Sequence, residues 1–223
     1  MNSKRVTIIA GNYGSGKTNI AVNYAIKLAD DGKKVSVADL DIVNPYFRSK
    51  DSKDVMQAKG IRLISSDFAN SNVDTPALPA DAYAITDDKT SFSVVDVGGD
   101  DRGALALGRY APEILKENDY EMLFVINKYR PLTSDAYSCI EVMREIEYAC
   151  GIKFTGIINN SNLGTDTEVK HIENSFSYAD EVSSLSGLPI VMTTVDKRLY
   201  DFVCDKKENI MPLELYVRQS WQK

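Results

Sequence analysis

The octapeptide GNYGSGKT, Gly11 to Thr18, limits what this chain can fold into more than any other stretch. It fits the pattern G-x-x-x-x-G-K-[ST], follows the apolar run VTIIA (6–10) and opens a helical pattern. Gly11, Gly14 and Gly16 let the backbone curl so that its N–H groups, those of Asn12, Tyr13 and Ser15 among them, converge on phosphate oxygens. The following helix adds the positive end of its dipole. Lys17 is placed to neutralise the β- and γ-phosphates, and the Thr18 hydroxyl to ligate Mg²⁺. The residues therefore predict a phosphate-binding loop between a strand and a helix.

The rest of the chain supplies a sheet to carry that loop. Short β-branched runs at 35–39, 61–64, 92–96, 122–126, 154–158 and 190–192 read as further strands, several apolar on both faces. Helical stripes fall between them: Ala21, Tyr24, Ala25 and Leu28; Ala136, Cys139, Ile140 and Met143; Val169, Ile172, Phe176, Ala179 and Val182. Gly32, Gly151 and Gly187 supply the stops. This alternation predicts an α/β fold: one domain over 1–223, with a mostly parallel twisted sheet of about seven or eight strands and helices on both faces. The end MPLELYVRQSWQK reads as an edge strand with a tail, and 67–83 as a surface loop leading into a short helix. A second polar loop, 159–166, follows a strand, at the sheet edge where such folds bind ligands.

Carboxylates fall where a nucleotide site needs them. VADLDIVNP places Asp39 and Asp41 at the end of the second strand, next to the phosphate loop if those two strands are neighbours. VVDVGGDDRG places Asp96 at the end of the fourth. Strand-end carboxylates can hold metal-bound water; each could instead cap the next helix. Gly98 and Gly99 allow backbone to approach a γ-phosphate or to move when it leaves.

Composition narrows the function classes. The 223 residues are 43% hydrophobic and 26% charged, ordinary for a globular chain, and the net charge of −6 argues against a basic nucleic-acid grip. The 3 cysteines, Cys139, Cys150 and Cys204, form no CxxC pair. With His171 the single histidine, no zinc or iron–sulfur site follows from spacing, and a cluster shared between subunits is the remaining alternative. No run has the length of a signal peptide core or a membrane span, and no basic amphipathic end is present. The expectation is a cytoplasmic protein with no membrane partner.

Through residue 194 the chain resembles the MinD/ParA/CobQ group of P-loop proteins, which includes the nitrogenase iron protein. GNYGSGKT, VADLD, VVDVGGD and GIINNSN carry the likeness. It implies ATP/ADP and Mg²⁺ as cofactors, with Asp39 binding the metal through water and Asp96 in the strand-end metal role. It also implies that Asp41 orients or activates the attacking water, so that Lys17 and Asp41 are the catalytic pair. GIINNSN resembles the segment whose asparagine reads adenine, which matches Asn160, and TTVDKRL (193–199) resembles the loop along the base, implicating Val195 and Asp196. NKYR (127–130) begins like the guanine motif N-K-x-D, but Arg130 stands where guanine needs a carboxylate, so adenine is favoured.

One departure stands out. Many relatives read K-G-G-x-G-K-[ST], and their first lysine reaches across a dimer to the partner's phosphate. Asn12 and Tyr13 replace that Lys-Gly pair here. Arg48, Arg102 and Arg109 are candidate replacement cations, or ordinary surface arginines. Three functions stay open: an ATPase switch acting on a protein partner or as a homodimer, a synthetase or kinase using Tyr13 and NPYFR (44–48), and a nucleotide-bound assembly module with little turnover.

Overall fold

The run Val6–Gly11, β1, is buried at every position, and a strand buried on both faces needs a sheet covered on both sides. The computed structural model, which describes residues 3–40, 50–65 and 83–216, places it in such a sheet. β2 (Val35–Asp39), β3 (Arg62–Ser65), β4 (Phe92–Asp96), β5 (Tyr120–Ile126), β6 (Gly156–Asn159), β7 (Ile190–Asp196) and β8 (Ile210–Leu213) join it. The eight strands run in the order β3-β2-β4-β1-β5-β6-β7-β8, with every described pairing parallel. The fold class expected from the strand–helix alternation is the one found.

Helices cover the two faces unequally. On one face α1 (Lys17–Asp30) and α2 (Lys50–Ala58) bury Ile20, Tyr24, Leu28 and Met56 against Ile9, Val37, Val94 and Val125. A short α3 (Ala84–Asp87) precedes β4. The opposite face is packed by α4 (Asp101–Gly108), α5 (Ala111–Glu117), α6 (Ala136–Cys150) and α7 (Val169–Ser186). Leu107, Ile114, Cys139 and Val182 meet Ile8, Val95, Phe124 and Ile157 there. Gly151 and Gly187 end α6 and α7 in the left-handed conformation, as their spacing predicts. No helix among the described residues is long and apolar enough to cross a membrane.

Several elements differ from the sequence expectation, each for a physical reason. β4 lies between β1 and β2, so the second strand is not the neighbour of the loop-bearing strand. β7 runs past the apolar triplet at 190–192 because Thr193 and Thr194 are buried and suit a pleated ladder. β6 starts at Gly156, after the Phe154 amide has been taken by Glu147 at 2.9 Å. α4 and α5 are too short for a clear periodic stripe, and α4 is also rich in small residues. The NPYFR segment and residues 66–82 lie outside the described residues, while the expected edge strand at the C-terminus is β8.

Phe124 is fully buried at the centre of the sheet, its ring 4.9 Å from that of Phe154. Phe124→Ala is expected to destabilise the fold by about 3–5 kcal/mol, read as a lower urea midpoint. Burial also pushes the Cys139 thiol up to about 11 and raises that of Cys150, whereas Cys204 is exposed. A thiol reagent at about pH 8 should therefore modify Cys204 in the native protein, and the other two only after denaturation; the reagent's release counts them.

Candidate functional site

β1 ends at the point where the chain's path through the sheet changes direction. β2, β3 and β4 lie on one side of it, and β5 to β8 on the other. The crevice at such a point is where open parallel sheets bind ligands, and residues 12–16 occupy it. Gly16 forms the start of α1 with φ +90°, and the helix begins with no side-chain cap and no acidic residue in its first turn. Its first amides are thus presented with the positive end of the dipole. Within the loop the Ser15 N–H donates to the Asn12 carbonyl at 3.2 Å, and the buried Lys17 Nζ donates to the same carbonyl at 3.0 Å. Asn12 turns its own Oδ1 onto the Tyr13 N–H at 2.8 Å, while the Tyr13 ring is 52% exposed.

The carboxylates stand on the β4 side. Asp39 and Asp96 are register partners at the ends of β2 and β4, and aligned residues of parallel strands share a face. That face is the one covered by α1, so the Thr18 hydroxyl reaches Asp96 Oδ2 at 2.7 Å. A hydroxyl and two carboxylates give an all-oxygen donor set, which suits Mg²⁺. Among the described residues no cluster of His, Cys, Asp and Glu large enough to hold a metal on its own occurs, so water and phosphate oxygens must complete any coordination shell. His171 instead caps α7, its Nδ1 accepting from the Glu168 N–H at 3.0 Å. Asp41 lies outside the described residues. After β4 the backbone returns onto the loop: a Cβ at Gly99 would stand 2.6 Å from the Tyr13 nitrogen and 2.9 Å from Lys17 Nζ.

A cavity of about 80 Å³ opens on the other side of Gly16, bounded by Asn19, Asn160, Asn162, Val195 and Asp196 among others. The three base-contact residues expected from the sequence therefore meet at one place, beside the helix start. Asn160 is 5% exposed, and its amide is held at both ends. Nδ2 donates to the Ser15 carbonyl at 2.6 Å, and Oδ1 accepts from the Thr194 hydroxyl at 2.8 Å. A Cβ at Gly16 would collide with that amide. An amide has two donor hydrogens and two acceptor lone pairs, so one of each stays available for a ligand. Asp196 is engaged by Arg198, whose N–H and Nε each donate to it at 2.9 Å.

On the β5 side lies Arg130, whose Nε and Cζ stand 3.5 and 3.6 Å from the position a Cβ at Gly14 would take. Asn127, fully buried just past β5, fixes its turn: Oδ1 accepts from Tyr129 N at 3.0 Å and from Asn162 N at 3.2 Å. Arg102 and Arg109, the replacement cations suggested by the sequence, are exposed on and just after α4, and Arg48 is outside the described residues. Sequence reasoning missed Arg130, Asn162 and Thr194. The signal for the first is its mismatch to the guanine motif; Asn162 and Thr194 lie within GIINNSN and TTVDKRL, where polar residues are common and nothing local singles them out.

Asn160→Asp removes the donor to Ser15 and sets a carboxylate against a carbonyl. It should destabilise the protein by about 1–3 kcal/mol, measured by urea unfolding without ligand.

Residues 6–172 match the family described as the CobQ/CobB/MinD/ParA nucleotide binding domain. No curated protein matches the sequence. Among solved structures, FtsY from Mycoplasma mycoides is similar at 19% identity and a TM-score of 0.58, over 87% of this chain and 61% of that one. FtsY from Thermotoga maritima gives 20% and 0.57, over 85% and 61%. The Signal Recognition Particle 54 kDa protein of Aeropyrum pernix in complex with GDP gives 15% and 0.55, over 84% and 40%. The chain thus spans about three fifths of the length of the FtsY structures, and identities this low speak for the fold alone. The matched stretch takes in the phosphate loop, Asp39, Asp96 and Asn160, so the chain belongs to the CobQ/CobB/MinD/ParA nucleotide-binding family of P-loop NTPase domains.

Proposed function

We propose that this nucleotide-binding domain is a Mg²⁺-dependent ATPase working as a switch on a protein partner or on a second copy of itself. The observation that carries this reading is the 2.7 Å bond from Thr18 to Asp96, which ties the phosphate loop to a strand-end carboxylate. Backbone N–H groups from Gly11 to Gly16 and the Lys17 ammonium bind the phosphates, with Lys17 stabilising charge as the γ-phosphoryl group leaves. Thr18, Asp39 and Asp96 would hold the metal, which would supply charge neutralisation on the phosphates. Asp41 orients the water that attacks phosphorus in line, giving ADP and inorganic phosphate. Asn160, Val195 and Asp196 take the base.

Adenine is favoured by the acceptors at hand. Asp196 is the carboxylate among the described residues around the cavity, and its charge is already paired with Arg198, which donates to each of its oxygens. Guanine would need such a group for its N1–H and 2-amino group. The contact of Gly99 with Tyr13 supports the switch: a γ-phosphate entering against the Tyr13 and Gly14 amides must displace or recruit the loop that leads into α4.

One observation favours a second reading, a nucleotide-bound assembly module without turnover. Asn12 faces its own loop, so no cation reaches out from the position of the family's signature lysine. Phosphate release from ATP and Mg²⁺ separates the two. The wild type should hydrolyse ATP in preference to GTP, and Lys17→Ala should lower the rate by at least about 100-fold. Tight ATP binding without phosphate release would establish the module, and wild-type turnover in Lys17→Ala would overturn the ATPase reading.

A further inference from the structure

Arg130 stands beside the phosphate loop with no anionic partner among the described residues. It is half-buried, its Nε is shut off from solvent, and that nitrogen has no hydrogen-bond partner among the described residues. No carboxylate among the described residues pairs with its guanidinium, although the chain carries 32 acidic residues. A buried guanidinium nitrogen without an acceptor is unfavourable, and an anion arriving beside it would relieve that cost.

The surroundings name the anion. The guanidinium lies over Gly14, where φ is +74° and a side chain would come within 3.5 Å of Nε. Gly14 is in the middle of the phosphate loop, so the nearest anion that loop can bind is a phosphate. The approach is also from the free side. β5 adjoins β1 opposite to β4, so Arg130 faces the loop from the flank away from Asp96 and Asp39, and does not compete with a metal for the same phosphate oxygens. Its backbone is fixed by Arg130 N to Asn127 O at 3.1 Å and Thr133 N to Arg130 O at 3.0 Å, with Pro131 opening the turn that follows. A planar fork on a rigid turn is suited to a phosphate chain.

We infer that Arg130 is a phosphate-binding residue that supplies, within one protomer, the cation missing at Asn12. Its guanidinium donates to the phosphate chain of the bound nucleotide from the β5 flank, while Lys17 and the loop amides hold it from beneath. The inference rests on reading the phosphate loop as a nucleotide site.

The test is titration of the full chain with ATP and Mg²⁺, followed by calorimetry, for the wild type, Arg130→Ala, Arg130→Lys and Lys17→Ala. Loss of a charged bidentate contact should weaken ATP binding by about 10- to 100-fold in Arg130→Ala, with Arg130→Lys in between. The salt dependence of the Kd should also be shallower in Arg130→Ala than in the wild type, which a merely structural role would not produce. If Arg130→Ala lowers the ligand-free melting temperature, Arg130→Lys, which keeps the stem and the charge, decides by its affinity and salt slope. Arg130→Ala binding within about twofold of wild type, while Lys17→Ala does not bind, would overturn the inference and leave the nucleotide site standing. A wild type that binds no ATP, or binds it no better than Lys17→Ala, would overturn both.

Discussion

The Ser15 carbonyl sits just before the helix that the phosphate loop introduces, and Asn160 holds it with a 2.6 Å hydrogen bond. Much of the site depends on that bond. It fixes the height of Gly16, which has room for the Asn160 amide only because it lacks a side chain. From Gly16 the direction of α1 follows, and with it the positions of Lys17 and Thr18. Thr194 braces the far end of the same amide, so β6, β7 and the loop after β1 are joined through one side chain. In an interior of low dielectric, a polar link held at both ends fixes geometry more firmly than its net energy suggests.

Around that strut the charges are sorted by strand. Asp39 and Asp96 stand together on the β2–β4 flank, with Thr18 touching the latter. Lys17 lies beneath, and Arg130 lies on the β5 flank. A phosphate chain placed in such a field would meet carboxylate and hydroxyl oxygens on one side and nitrogen donors on the other. The sorting follows from the crossover connections: each parallel strand brings its own C-terminal loop to the same sheet edge, and adjacent strands deliver adjacent groups.

Much of this was legible in the sequence, and the limits are instructive. The phosphate loop could be read because glycine spacing, lysine and threonine act locally, between a strand and a helix that are themselves local. Asp96 could be read because it ends an apolar run. The separation of Asp39 from the loop by a whole strand could not, because hydrophobic periodicity carries no strand order. The same holds for Asn160: its likeness to a base-reading residue was visible, but its bond to Ser15 exists only once β6 has crossed behind the loop. Arg130 reads in sequence only as a mismatch to the guanine motif, because its neighbour Gly14 lies more than a hundred residues earlier, on the loop after β1.

Asn127 has a wider consequence. One buried oxygen gathers the amide of Tyr129, next to Arg130, and that of Asn162, which lines the cavity beside Gly16. The turn before Arg130 and the loop at the cavity thereby share one anchor. A single side chain therefore ties the segment on one flank of the phosphate loop to the segment on the other, and shortening it would free both at once.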